Sequence, residues 1–210
     1  PNDYWVVKLD STGQLQWQRA LGGSGFDVAR DVARTSNGSL ALVGIANSND
    51  GDVTGQHGGF DVWVVVVDAG GMTIIWQKAF GGSLDDFGES LISLPSDHLL
   101  LAGGSRSNDG DMTANAGGSD VWAGRMDGTG ALTWQKSIGG TDLEGANAIV
   151  LTSDGGYLLC GATYSDDGDV IGNNGAQDFW VVKLEPDDTA IEERSNGFWV
   201  SAFPNPAVDE

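Results

Sequence analysis

Apolar residues in this chain come in short runs, broken by Gly, Asn and Asp, and the runs fall into sets of four that recur along the sequence. In the clearest set, strand-like segments cover residues 26–35, 40–44, 62–67 and 74–78, each short and rich in alternating or continuous apolar positions. The first two are separated by Asn37-Gly38, and their counterparts further on by Asp154-Gly155. Both pairs tolerate positive φ, which predicts a two-residue hairpin and antiparallel pairing. The third segment, Val62-Trp63-Val64-Val65-Val66-Val67, is apolar on both faces. A sheet with one solvated face would not carry such a run, so this strand is expected in a sheet covered on both sides.

The spacing of Trp fixes the period. Trp5, Trp63, Trp122 and Trp180 recur at steps of 58, 59 and 58 residues, each inside an Asp-x-Trp pattern, and Trp17, Trp76 and Trp134 follow the first three. Four-stranded units repeated at this length predict an all-β fold, a partial β-propeller of antiparallel blades of about 58 residues. The alternative is a β-solenoid. The expected units are a partial blade over residues 1–21, full blades over 22–80 and 81–138, and a blade over 139–185 lacking its fourth strand. Propellers close with about four to eight blades, so an open arc is expected, with apolar blade faces bare at both ends.

The units resemble a bacterial β-propeller repeat family that reads roughly Leu-Gly-Gly-Ser-x-x-Asp, a Gly-punctuated hairpin, then Asp-x-aromatic-Val-x-Lys-Leu. Its elements stand here as Leu21-Gly22-Gly23-Ser24 with Asp27, Gly81-Gly82-Ser83 with Asp86, and Gly139-Gly140-Thr141 with Glu144. The motif lysine is present as Lys8 and Lys183 but replaced by Val66 and Arg125. After Pro186 the repeat stops. A linker over residues 186–197 leads into Phe198-Trp199-Val200-Ser201-Ala202-Phe203-Pro204-Asn205-Pro206, where residues 198–210 resemble the start of the C-terminal sorting domain of Bacteroidetes type IX secretion cargo. The two resemblances imply a secreted or outer-membrane surface-attached scaffold delivered by the type IX secretion machinery.

Charge narrows the partners. Thirty acidic and ten basic residues give a net charge of −20, without a basic patch, so nucleic acid is not an expected ligand. No apolar run is long enough to span a bilayer, and membrane insertion is not expected. Cys160 is the single cysteine, which rules out an intrachain disulfide framework; it aligns with Val43 and Ala102 and is expected to be a small buried hydrophobe.

Three acidic loops are candidate calcium sites: Asn49, Asp50 and Asp52; Asn108, Asp109 and Asp111; Asp166, Asp167 and Asp169. Clustered oxygen ligands around a Gly suit a hard cation, although the spacing is tighter than in an EF-hand loop. The competing expectation is an Asx-type turn in which these side chains serve the loop backbone. The acids repeated in each unit, Asp27, Asp86 and Glu144 with Asp3, Asp61, Asp120 and Asp178, are expected to be structural, since a catalytic pair is needed only once. His57 and His98 have no metal-ligand partners at suitable spacing and are expected on exposed loops.

The expected function is a binding or adhesion scaffold that meets a protein or glycan at the cell surface, without catalysis of its own; the alternative is part of a secreted glycan-active hydrolase. Position 106 marks where units differ, since Arg106 replaces Asn47 and Tyr164.

Overall fold

The computed structural model describes residues 2–186 and 201–202. A two-stranded sheet joins β1 (Tyr4–Leu9) and β2 (Leu15–Leu21). The next sheet holds β3 (Asp27–Arg34), β4 (Leu40–Ala46), β5 (Asp61–Val67) and β6 (Ile74–Phe80). It is followed by a sheet of β7 (Asp86–Ser93), β8 (Leu99–Ser105), β9 (Asp120–Met126) and β10 (Leu132–Ile138). The last contains β11 (Glu144–Leu151), β12 (Tyr157–Thr163), β13 (Asp178–Leu184) and β14 (Ser201–Ala202). Within each sheet a strand pairs only with its neighbours in the chain, and the pairing is antiparallel. A β-solenoid would instead pair strands from successive coils. The fold is therefore a partial β-propeller, an arc of blades that does not close.

The first strands β3, β7 and β11 pack successively against one another and form the inner side of the arc. Alternation along the third strand supplies the glue between blades. Trp63, Val65 and Val67 pack with Tyr4 and Leu21 of the preceding sheet, while Val62, Val64 and Val66 pack with Leu91, Leu99, Leu101 and Trp122 of the following one. Each such side chain contributes about 1.5–3 kcal/mol when fully buried, which explains the doubly apolar run. Where no described sheet covers a blade, the same positions are bare: Trp5 is 68% exposed and Phe179 56%.

Two details differ from expectation. The hairpins containing Gly38 and Gly155 have three-residue loops, because Gly38 N–H bonds to Thr35 O and Thr35 N–H to Ser39 O, with the same pattern over residues 152–156. Gly38 and Gly155 have φ of +91° and +86°, so Gly supplies the left-handed residue that closes a three-residue loop. The last blade also has a short fourth strand: the chain returns beside β13, and Ser201 and Ala202 pair with Lys183 and Val182. Of the expected linker and sorting segment, all but Pro186, Ser201 and Ala202 lies outside the described residues.

Each first strand also carries a β-bulge. The ladder skips Arg30 between β3 and β4, Glu89 between β7 and β8, and Asn147 between β11 and β12. The facing residue is Gly44, Gly103 or Gly161, and an added Cβ there would stand 2.0, 1.8 or 1.9 Å from a first-strand carbonyl oxygen. Glycine is thus required where the bulge presses the two backbones together.

Candidate functional site

The repeated acids build the frame of the site. Asp86 is fully buried; its Oδ2 accepts Gly82 N–H and the Ser107 hydroxyl, each at 2.8 Å, and its Oδ1 accepts the Ser105 hydroxyl at 2.5 Å. Asp27 holds Gly23 N–H at 2.8 Å and the Ser48 hydroxyl at 2.6 Å. Glu144 holds Gly140 N–H and the Thr163 hydroxyl, each at 2.8 Å. One carboxylate per blade therefore ties the Gly-Gly loop to the loop after the second strand.

The acidic loops close the same tie from the other side. Asp50 Oδ1 accepts Ser24 N–H at 2.7 Å, Asp109 Oδ1 accepts Ser83 N–H at 2.7 Å, and Asp167 Oδ1 accepts Thr141 N–H at 2.8 Å. The backbone N–H groups of Asp52, Asp111 and Asp169 reach Gly22, Gly81 and Gly139 carbonyls. Asp166 accepts from Gly172 and Asn173 N–H, and Asn49 and Asn108 are exposed. Among the described residues no three His, Cys, Asp or Glu side chains gather as a metal-holding group. These side chains serve the backbone of the Gly-Gly loop rather than an Asx turn within their own loop, and the bonds from Ser24 and Ser83 hold the Asp50 and Asp109 carboxyls below their ordinary range.

Asp61, Asp120 and Asp178 close the turns before the third strands by accepting the N–H of His57, Ala116 and Asn174 four residues earlier. His57 is exposed on its loop, as expected, and has two acidic neighbours there: its Nδ1 lies 2.8 Å from Asp61 and its Nε2 3.7 Å from Asp111. Desolvation raises Asp61 and Asp120, partly offset by these hydrogen bonds. The other oxygen of each, Asp61 Oδ1 and Asp120 Oδ1, is buried without a partner among the described residues. Both face a neighbouring blade's acid across a glycine: a Cβ on Gly81 would lie 2.3 Å from Asp61 and 2.9 Å from Asp86, and one on Gly139 2.6 Å from Asp120 and 2.7 Å from Glu144. Cys160 is half-buried rather than buried, because no described sheet covers that side of the last blade. His98 is half-buried rather than exposed, 3.2 Å from Arg125.

A cleft of about 280 Å³ opens between the second and third full blades. Its walls include Phe87, Glu89, Arg106, Leu143, Asn147 and Tyr164. Glu89 and Asn147 are the bulge residues of β7 and β11, and a bulge re-aims the side chain it carries. Arg106 and Tyr164 occupy the loop position singled out in the sequence, where each backbone N–H is held alike: Asn47 to Phe26 O, Arg106 to Asp85 O, Tyr164 to Leu143 O. The frame is constant, and the side chains on it are not. Asn47, in contrast, turns its Oδ1 to Phe26 N–H.

Gly145 makes the room. It stands where the other blades carry Val28 and Phe87, and a Cβ added to it would meet nothing within 4 Å. Arg106 lies 3.4 Å from Asp85 and 5.7 Å from the Phe87 ring centre, which occupies its charge at the rim. Burial raises the Glu89 carboxyl, partly offset by Arg30 at 3.6 Å.

Bulge residues 89 and 147 and the small residue at 145 were not distinguished by sequence reasoning. The signal was available only as disagreement among units at positions 30, 89 and 147 within an otherwise regular strand. No protein-family model and no curated protein sequence matches this chain. Among the described residues no helix is long and apolar enough to cross a membrane.

Proposed function

We propose that this chain is an exported or cell-surface recognition scaffold whose repeated frame presents non-repeated side chains at the inner ends of its blades, without catalysis of its own. One observation carries the reading: positions 47, 106 and 164 share one backbone hydrogen bond and differ completely in side chain. Binding sites are expected where a rigid scaffold displays variable groups. The resemblance of residues 198–210 to a type IX sorting segment supports export and a partner at the cell surface. In the acidic loops Asp50, Asp109 and Asp167 each turn one carboxylate oxygen to a backbone N–H of the Gly-Gly loop, a structural role that competes with calcium.

A hydrolase reading draws on Glu89, a carboxyl raised by burial and facing a cleft. Two-carboxylate hydrolysis needs a second free acid. The second acid of this cleft, Glu144, already holds Gly140 N–H and the Thr163 hydroxyl.

The test screens the chain against immobilised glycans and peptides, and against chromogenic glycosides. Retention on an array that is lost in Tyr164→Ala, with no glycoside turnover, is the expected result. Turnover abolished by Glu89→Gln would replace this reading with the hydrolase. Deleting residues 198–210 from the encoded protein is expected to block its release to the surface.

A further inference from the structure

We infer that the cleft between the second and third full blades binds a neutral saccharide; this rests on the recognition reading above and names its ligand. Phe87, Leu143 and Tyr164 offer apolar and aromatic surface, with Leu143 and Tyr164 about two-fifths exposed. Glu89 and Asn147 stand beside them on the two bulges and supply a carboxylate acceptor and an amide that both donates and accepts. A pyranose matches this mixture, since its C–H face is apolar and each hydroxyl both donates and accepts.

Size and charge refine the class. At about 280 Å³ the cleft lies just below the roughly 300–1,000 Å³ of sites that enclose drug-sized ligands, so it suits one or two sugar rings. The net charge of −20 opposes an acidic sugar, and the cations near the cleft are already engaged, Arg106 by Asp85 and Arg30 by Glu89. A peptide added as a strand is disfavoured, because the first strands that edge the cleft are bulged and a bulge breaks the regular row of backbone groups that strand addition uses.

Gly145 supplies the decisive variant. Gly145→Val installs the side chain already present at Val28 in the first full blade, and its Cβ enters open space. The experiment titrates the isotopically labelled chain with methyl glycosides of glucose, galactose, mannose and N-acetylglucosamine, following backbone amide signals by NMR. A uronic acid glycoside and a random peptide library serve as comparisons. Expected are saturable shifts centred on Glu89, Asn147 and Tyr164 with at least one neutral glycoside, a tenfold or greater loss of affinity in Asn147→Ala and Tyr164→Ala, and no binding in Gly145→Val. Melting temperature is measured on every variant, and the two alanine variants decide the matter if Gly145→Val fails to fold. Peptides that bind in the cleft while the glycosides do not would overturn the saccharide assignment and leave the recognition reading standing. Tight binding of the uronic acid alone would overturn the neutral class. Silence of the cleft to every probe would overturn both readings.

Discussion

Trp63 donates its indole N–H to Oε1 of Gln77 across the β5–β6 pair at 2.8 Å. The same bond joins Trp122 to Gln135 at 2.8 Å and Trp5 to Gln18 at 3.1 Å. In the last blade it is missing. Gln77 faces Val65 and Gln135 faces Gly124, but Ala202 stands opposite Val182, and Trp180 Nε1 is buried without a partner among the described residues.

Gln77→Leu is therefore expected to destabilise the chain by about 1–3 kcal/mol, the cost of leaving a buried donor unmet. Gln18→Leu should cost much less, because Trp5 is exposed and water can take the place of the amide. Urea denaturation of both variants checks the difference; equal losses would show that the bond is not what matters.

The carboxylate ties make a second contrast. Asp86→Ala strands Gly82 N–H and two serine hydroxyls inside the protein and should cost at least about 1–3 kcal/mol. Asp109→Ala removes a bond on an exposed loop, where water replaces it, and should cost much less. Denaturant midpoints at constant slope would establish this order.

Stability should also depend on pH through Asp61 and Asp120. Each is raised by burial, so its contribution is complete below the unfolded carboxylate pKa of roughly 4 and is lost as pH rises through the folded value. Asp61 faces His57 and Asp86, and His57 in turn reaches Asp111. Asp61→Asn should flatten the decline in melting temperature above pH of about 4. The loop residues Asp10, Asp50, Asp68, Asp109 and Asp127 are lowered by hydrogen bonds and act oppositely: their contribution is present above the unfolded value and is lost as pH falls through the folded one. An unchanged slope in Asp61→Asn would remove Asp61 from the account.

Saturating chelator should leave the melting temperature of the chain unchanged, since Asp50, Asp109 and Asp167 already serve backbone N–H groups. A fall in melting temperature that added calcium restores would show that the acidic loops hold the cation.

Much of this was legible from residue order alone. The Trp period marked the units, and the doubly apolar run at residues 62–67 announced a sheet covered on both sides, as the packing of Val62 and Trp63 on different neighbours bears out. Hairpin loop length was misjudged because Asn-Gly suits both a two-residue turn and the end of a three-residue loop, and only the Gly38-to-Thr35 bond distinguishes them. His57 was legible as an exposed loop residue, but its partners were not, because Asp61 and Asp111 meet it through the turn before β5 and the acidic loop of the next blade.

By itself the sequence determined the units, their four strands and their two covered faces, because each follows from local periodicity and from repetition at fixed spacing. The cleft was decided by the tertiary structure. Glu89 and Asn147 lie on different blades, and their side chains share one hollow only because a bulge redirects each strand, the blades lean together and Gly145 leaves space between them. Such convergence depends on the angle and spacing of whole sheets, which alternation along a single strand does not encode.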